Sequence, residues 1–477
     1  MHKKHNPNII MKKISLFLLS MLLCGSTQAI VRPASLFNDG MVLQQQSKVR
    51  VWGRAKALSK VSVKGSWNNK TVSCKSDAEG KWELHLQTPV GSYKNYKITM
   101  SDGQKLVIKN VLIGEVWFAS GQSNMEMPLH GYYNCPVQNS SRYISESNKY
   151  NGKLRMVSIP RFPLRQLGEF VDAKWMDCTP QTARDFSATA YFFATQLADK
   201  LTCPVGIINN AWGGSSVEAW TPEEILETYP EIKLETELFK NPFCGTPMIM
   251  YNGMIHPLAG YNIRGFIWYQ GESNVPHPEV YADRFSNMIK AWRKDWGQGD
   301  LPFLFVEIAP YKYGEGDLSA QLREAQCDVQ NRVKNTWMVC TNDLVEEYEP
   351  YQIHPHKKFE VGERLSLLAL NKVYNMNGLV VESPQYQNME IKGDKIYLSF
   401  TNLQDGFNRF QDIQGFEIAG ADKKFYPAAA GIEGTRVVVS SQNVENPVAV
   451  RYCFHNFAIG NLKSGDNLPI IPFRTDK

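Results

Sequence analysis

Three short segments place serine, asparagine and glycine where they could support nucleophilic chemistry. Residues 119–125 read ASGQSNM, residues 211–216 read AWGGSS and residues 269–274 read YQGESN. Each segment follows an apolar run with the composition of a buried strand. Because ligands bind beyond the carboxyl ends of parallel strands, we expect the three segments to converge on one site.

Ser123, in the first segment, is the predicted nucleophile. A serine hydrolase needs its nucleophile on a sharp turn after a strand, a base within reach, and fixed donors where the oxyanion develops. The backbone N–H groups of Ser123, Gly213 and Gly214 and the side-chain amide of Asn274 are the predicted donors. Taken alone, the glycine pair is typical of an ordinary turn and Asn274 of a helix N-cap.

The base must come from elsewhere in the chain, and His354 is the leading candidate. It lies in a polar loop that follows the apolar run 337–340, and His356 is the alternative. Gln122, Gln270 and Glu272 flank the proposed chemistry and are predicted to contact the substrate. For Glu272, a hydrogen-bonding role behind the site and a solvated carboxylate both stay open.

Between residues 110 and 380, apolar runs alternate with stretches of helical periodicity. This pattern predicts an α/β fold with a mostly parallel sheet and helices on both faces. The predicted strands include residues 111–119, 205–209, 263–269, 304–308 and 337–340, and the predicted helices include residues 187–201, 279–296 and 320–334.

Strand-like alternation surrounds this central region on both sides. Residues 30–109 contain short alternating runs separated by turn signals, which favours an N-terminal β-sandwich. Residues 381–477 form a second β-rich segment, and whether it is a separate sandwich or closes onto the first stays open. The predicted division is therefore 1–29, 30–109, 110–380 and 381–477.

Residues 1–29 read as a secretory signal peptide. Two lysines precede the apolar run 14–24, and small and polar residues follow up to Ala29. Cys24 raises the alternative of a lipoprotein anchor. No later run reaches the 18 or so apolar residues that a membrane span requires. We therefore expect a protein exported to the periplasm or the extracellular space.

The charge of the remaining chain excludes several classes of partner. Four of the 52 basic residues precede residue 30, which leaves 48 basic residues against 47 acidic residues. A nearly neutral protein has no electrostatic footprint for nucleic acid or an anionic membrane. The cysteines form no CxxC motif and no Cys/His cluster, so we expect no structural metal. Cys135, Cys178 and Cys244 are candidates for one or two disulfides, whose pairing stays open.

The motifs together resemble the SGNH hydrolases, and specifically the sialate O-acetylesterase-like carbohydrate esterases. Residues 116–126 resemble the nucleophile block of that family, residues 206–220 its oxyanion glycine block and residues 268–274 its asparagine block. Residues 353–355 and 361–365 resemble its histidine block. Shorter matches at residues 41–44, 51–53, 80–82 and 468–475 extend the resemblance over nearly the whole mature chain.

One departure concerns the partner of His354. Many SGNH enzymes have an aspartate three residues before the histidine, where this chain has Tyr351, and many relatives have one two residues before it, where this chain has Gln352. The resemblance allows a Ser–His dyad oriented by a backbone carbonyl, which is our prediction. Four nearby acids could instead complete a triad: Asp343, Glu346, Glu347 and Glu349.

The resemblance implies a secreted carbohydrate O-acetylesterase that releases acetate from O-acetylated sialic acid without a metal or organic cofactor. The same chemistry on acetylated xylan is the nearest alternative. A non-catalytic sugar-binding protein is the alternative of another class. Which sugar hydroxyl is deacetylated, and the oligomeric state, stay open.

Overall fold

The computed structural model describes residues 31–234, 239–408 and 412–476. The predicted signal peptide, with Cys24, lies outside the described residues. The helices are α1 (Ser123–Glu126), α2 (Ser140–Glu146), α3 (Pro180–Arg184), α4 (Ala188–Lys200), α5 (Glu223–Leu226), α6 (Pro278–Trp296), α7 (Leu318–Arg332) and α8 (Lys358–Lys372). Short 3₁₀ turns cover Ser147–Tyr150, Val217–Trp220, His256–Leu258 and Glu272–Asn274, and a π turn covers Tyr251–Ile255.

The strands fall into a leading, a central and a trailing group. The leading strands are β1 (Arg32–Pro33), β2 (Val42–Gln44), β3 (Lys48–Arg54), β4 (Lys60–Gly65), β5 (Thr71–Lys75), β6 (Lys81–Gln87) and β7 (Ser92–Ser101). The central strands are β8 (Lys105–Gly121), β9 (Leu154–Ser158), β10 (Met176–Asp177), β11 (Val205–Ala211), β12 (Gly265–Tyr269), β13 (Phe303–Val306) and β14 (Thr336–Val339). The trailing strands are β15 (Gln385–Lys392), β16 (Lys395–Thr401), β17 (Phe416–Ala419), β18 (Phe425–Pro427), β19 (Ala429–Glu433), β20 (Arg436–Ser440), β21 (Ala449–Tyr452) and β22 (Phe473–Arg474).

The central sheet has the strand order β10-β9-β11-β8-β12-β13-β14. All neighbours pair in parallel except the edge pair of β10 and β9, which is antiparallel. Strand β8 lies in the middle, and the chain crosses from its β11 side to its β12 side after β11. Ligands bind at such a change of direction in open α/β sheets.

Helices cover both faces of this sheet, as a parallel sheet requires. Trp117 and Ala119 of β8 belong to a hydrophobic cluster with residues of α4 and α8. Val116 and Phe118, which point to the other face, belong to a cluster with residues of α6 and α7. The prediction of a mixed α/β fold with a central sheet and helices is therefore confirmed.

Strand β8 joins the leading region to the central sheet. Its first half pairs antiparallel with β7, Leu112 pairs in parallel with Val42 of β2, and its second half is the middle of the central sheet. Hydrophobic residues of β3 and β6 also share the cluster that covers the α6–α7 face. The predicted boundary at residue 110 thus falls inside a continuous strand.

The trailing strands form two four-stranded sheets. Their orders are β15-β16-β20-β19 and β18-β17-β21-β22. Residues from both sheets, such as Leu398 and Ile418, bury their side chains in one cluster that is separate from the two clusters of the central sheet. The return of strands after residue 381 is as predicted.

Two expectations about the whole chain can be compared with the described residues. Within that part of the chain, no helix is long and apolar enough to cross a membrane. The expectation of disulfides is wrong for this structure, because Cys135, Cys178 and Cys244 are all free thiols. Cys135 Sγ instead donates to Gln352 Oε1 at 3.2 Å, and Cys178 lies buried against the Ser147 carbonyl.

Candidate active site

The three polar segments leave adjacent strands at the same level. Gly121, the last residue of β8, pairs with Ala211 at the end of β11 and with Tyr269 at the end of β12. A side chain at Gly121 is excluded, because its φ is +141° and a Cβ would lie 2.1 Å from the Tyr269 carbonyl oxygen. Ser123 follows two residues later, so the sheet register brings the predicted nucleophile between the other two segments.

Ser123 is the first residue of the short helix α1, which we call the nucleophile helix. It lies next to residues 211–216, which we call the glycine segment. A Cβ added at Gly213 would lie 3.2 Å from Ser123 Cβ, and the Trp212 N–H donates to the Gly121 carbonyl at 3.0 Å. Among the described residues, the N–H groups of Ser123 and Gly214 have no hydrogen-bond acceptor. Unpartnered N–H groups of this kind can bind an anion.

The Gly213 N–H, also predicted to bind the oxyanion, donates to Glu126 Oε2 at 2.7 Å. Glu126 accepts two hydrogen bonds from Arg161 Nη2, at 2.7 and 2.8 Å, and Arg161 stacks over Trp212 at 5.3 Å. The Arg161 side chain is half exposed. Sequence reasoning missed this pair because Arg161 follows β9, a strand that we did not predict.

Asn274 is buried and fastens its segment to the glycine segment. Its Oδ1 accepts from the Val217 N–H at 3.0 Å and from Gln270 Nε2 at 2.7 Å. Its Nδ2 donates to Glu218, whose two oxygens lie 3.0 and 3.2 Å away, and Glu218 is paired with Arg284. The amide that we predicted for the oxyanion therefore faces a carboxylate.

Gln122 and Gln270 also link the segments to one another. Gln122 Oε1 accepts from the Gly271 N–H at 3.2 Å, and Gln270 Nε2 donates to the Ser215 carbonyl at 3.0 Å. Both side chains are buried, and so is Glu272. Substrate contact by these three residues stays a prediction, and their burial favours a role in holding the segments in place.

His354 lies on the loop between β14 and α8. Its ring packs edge-on against Tyr132 at 5.2 Å between ring centres, and the Tyr132 hydroxyl donates to the Ser123 carbonyl at 3.3 Å. The preceding carbonyl, of Ile353, accepts from Asn124 Nδ2 at 3.0 Å. Nucleophile and candidate base are thus tied to the same two neighbours, Tyr132 and Asn124.

In the described part of the chain, no side chain or backbone carbonyl hydrogen-bonds the His354 ring, so the carbonyl that we predicted to orient it is not found there. Gln352 stands at the position where we noted the missing aspartate. Its Oε1 accepts from the backbone N–H of His354 at 3.2 Å and from the Cys135 thiol. Burial, with the positive charge of Lys358 as a second cause, lowers the pKa of His354 to about 4. The ring is therefore neutral at any pH well above 4.

The four candidate acids do not reach this ring in the described structure. Asp343 is held by Arg364 at 2.8 Å and Lys463 at 2.7 Å, and Glu346 by Lys357 at 2.5 Å. Glu349 pairs with the alternative base, His356, at 2.7 Å.

A buried polar network lies directly behind Ser123. Asn124 Nδ2 donates to Glu272 Oε1 at 2.5 Å, and Lys358 Nζ donates to Asn124 Oδ1 at 2.7 Å. Burial raises the pKa of Glu272 and lowers the pKa of Lys358 to about 7. Lys358 was not predicted, because a lysine at a helix start ordinarily reads as solvent-exposed. Among the described residues, no three His, Cys, Asp or Glu side chains gather as ligands for a metal ion.

Several known proteins resemble this chain over most of its length. Residues 113–371 match the family described as carbohydrate esterase, sialic acid-specific acetylesterase. The sialate O-acetylesterase of Mus musculus is 27% identical, with 89% of each chain covered, and that of Homo sapiens is 28% identical, with 85% of this chain and 83% of that one covered. The crystal structure of a carbohydrate acetylesterase from Xanthomonas citri is 34% identical and has a TM-score of 0.85, with 94% of this chain and all of that chain covered.

Proposed function

The chain belongs to the carbohydrate esterase family of sialic acid-specific acetylesterases, and from this premise we propose that it releases acetate from O-acetylated sialic acid through Ser123 and His354. Family membership makes it a serine carboxylic-ester hydrolase, and it does not support the alternative of a non-catalytic sugar-binding protein. The observation that carries the assignment of residues is the position of Ser123 at the carboxyl end of the central strand, between the two segments that can supply donors.

In the proposed first step, neutral His354 accepts the proton of the Ser123 hydroxyl while the serine oxygen attacks the acetyl carbonyl. The low pKa of His354 leaves the ring free to accept a proton even in mildly acidic solution, and it makes the imidazolium a ready proton donor in the step that follows. The resulting imidazolium then gives its proton to the departing sugar hydroxyl. Water, activated by the same histidine, hydrolyses the acetyl–serine ester and completes the cycle.

The tetrahedral oxyanion is stabilised by hydrogen-bond donors around Ser123. We place the N–H groups of Ser123 and Gly214 first, since neither has an acceptor among the described residues. The Gly213 N–H can join them by exchanging its hydrogen bond to Glu126 for one to the oxyanion, which is more basic than a carboxylate. The Asn274 amide nitrogen carries two hydrogens, so it can bind the oxyanion while one hydrogen stays on Glu218.

The carboxylate of sialic acid calls for a cationic partner, and we assign Arg161. It is half exposed, bonded to a residue of the nucleophile helix and stacked on Trp212 of the glycine segment. Glu126 already holds the Nε and Nη2 side of this guanidinium, so the substrate carboxylate would bind at its Nη1 side. The xylose units of an acetylated xylo-oligosaccharide have no such carboxylate, so Arg161 separates the proposed substrate from the nearest alternative.

The arrangement of domains and the location of the protein are also proposals. The trailing sheets, which enclose their own core, suit a β-sandwich module at residues 381–477, and the leading strands suit a second one at residues 30–109 packed onto the catalytic region at 110–380. The composition of residues 1–29 favours export to the periplasm or the extracellular space, and Cys24 favours a lipid anchor as the alternative.

The test compares acetate release from O-acetylated sialic acid, acetylated xylo-oligosaccharide and an aryl acetate. We expect the highest kcat/KM on the sialic acid substrate. In Arg161→Met, KM for that substrate should rise by on the order of tenfold or more, with a much smaller change in KM for the aryl acetate. Lys357→Met, which removes a cation that is paired with Glu346, is the matched control. A higher kcat/KM on the xylan substrate would favour the acetylxylan esterase alternative.

A further inference from the structure

The proposed reaction makes no use of Lys358, although this lysine hydrogen-bonds the residue that follows the nucleophile. It is the first residue of α8 and only 1% exposed. Its Nζ lies 2.7 Å from Asn124 Oδ1 and 5.7 Å from the centre of the Tyr269 ring. Burying an ammonium group is costly unless its charge and hydrogens find partners. A lysine kept in such a place, beside two candidate catalytic residues, calls for a function.

Asn124 connects Lys358 to both halves of the site. The residue follows Ser123 in the chain, and its side chain is fully buried. Its Oδ1 accepts from Lys358, while its Nδ2 donates to Glu272 and to the carbonyl of Ile353, the residue before His354. One amide therefore fixes helix α1 against the loop that carries His354, and Lys358 fixes that amide.

The charges around Lys358 show how it acts on His354. Glu272, Glu349 and Cys135 act to raise the pKa of Lys358, and the Tyr269 ring lies nearby. Burial has the larger effect, and it lowers the pKa of Lys358 to about 7. Below that pH the lysine is a cation, and its charge opposes a second positive charge on His354. The low pKa of His354 follows first from burial and then from this repulsion.

We propose that Lys358 is a positioning residue for the Ser123–His354 pair: its hydrogen bond to Asn124 fixes the nucleophile helix against the histidine loop and holds a buried amine beside that loop. The inference rests on the proposed function for its catalytic meaning. The geometry and the effect on the His354 ring do not depend on which ester is the substrate. Because its Nζ is buried on Asn124, Lys358 acts through its neighbours rather than on the reacting atoms.

The direct test is an NMR titration of protein labelled with ¹³C in its histidines. The His354 signal is assigned by its loss in His354→Gln, and its pKa is compared in wild type, Lys358→Met and the control Lys357→Met. We expect the His354 pKa to rise in Lys358→Met by up to about one pH unit and to stay unchanged in the control. An unchanged pKa in Lys358→Met would overturn the proposal, and this readout needs no esterase activity.

A kinetic test with an aryl acetate separates position from charge. In Lys358→Met we expect kcat to fall by on the order of tenfold to a hundredfold, with the acid limb of kcat/KM moved to higher pH. Lys358→Gln keeps a donor but no charge, so kcat at pH 8 should largely recover while the acid limb stays displaced. A fall in kcat with an unmoved acid limb would overturn the proposal, since any structural lysine would give that result. Absence of turnover in the wild type would count against the proposed function and leave the NMR result standing.

Discussion

The two halves of the candidate site are held in place by different means. The nucleophile half consists of three segments that leave neighbouring strands in register, and buried amides such as Gln122, Gln270 and Asn274 link these segments. The base half is a single residue, His354, on a loop of some 18 residues between β14 and α8. Its ring packs on Tyr132, and its loop is tied to the nucleophile helix through Asn124.

This difference indicates which part of the chemistry the fold determines by itself. The position of Ser123 follows from the sheet, because β8 is held on both sides by backbone hydrogen bonds up to Gly121. The position and protonation of His354 follow from a few side-chain contacts and from burial. We therefore expect substitutions in the nucleophile half to act on the chemical step, and substitutions around His354 to act mainly through geometry and pH dependence.

The largest effect is expected at Ser123. Ser123→Ala removes the attacking oxygen and should lower kcat by on the order of 10⁴–10⁶, while the thermal melt stays close to that of wild type. Acetate release measured with matched protein concentrations checks this. Ser273→Ala, which changes a serine of the third segment, is the control and should retain most activity. Residual activity of Ser123→Ala within tenfold of wild type would place the nucleophile elsewhere.

The comparison of the two histidines comes next. His354→Ala should approach the loss seen in Ser123→Ala, because it removes the group that we propose accepts the Ser123 proton. His356→Ala should cost less than tenfold, since its ring is engaged with Glu349 at 2.7 Å. Both kcat values are measured on the same aryl acetate. The reverse ranking would make His356 the base.

An intermediate effect is expected at Asn274. Asn274→Ala should lower kcat by on the order of 10²–10³ with a smaller change in KM, because the amide acts mainly on the developing oxyanion. Steady-state kinetics resolve the two constants, and a thermal melt shows whether the lost contacts to Val217 and Gln270 weaken the fold. If KM alone changes, Asn274 binds the substrate instead.

The smallest effects are expected for the four acids near His354. The variants Asp343→Asn, Glu346→Gln, Glu347→Gln and Glu349→Gln should each lower kcat by less than tenfold, because none of these carboxylates hydrogen-bonds the His354 ring in the described structure. Losing the aspartate of a true triad costs about 10⁴. A collapse of turnover in one variant that still folds would reveal a triad.

Sequence reasoning reached most of the central fold and the nucleophile half. Apolar runs such as 205–209 and 263–269 predicted β11 and β12 to within two residues, because strands buried on both faces are continuously hydrophobic. Strand β9 was missed, since its five residues include Arg155, a charged residue that is buried here against Asp177 of the neighbouring strand at 2.6 Å and against Asn110. Such a partner is visible only after folding.

The surroundings of His354 could not be predicted from the sequence, because they too depend on partners that come together only on folding. His354 could be chosen from its motif, but its surroundings depend on Tyr132, Asn124 and Lys358, which come from three separate parts of the chain. The pair of Glu126 and Arg161 was likewise hidden, because its members are 35 residues apart and lie on different elements. Long-range side-chain contacts, rather than local patterns, decide these features.

The most direct test of the central claim, that His354 activates Ser123 at the end of the middle strand, is covalent labelling with a fluorophosphonate followed by peptide mass spectrometry. We expect one adduct, on Ser123, formed at neutral pH and lost or greatly slowed in His354→Ala. An adduct on another serine, or an unmodified Ser123 in a protein that still hydrolyses aryl acetates, would contradict it.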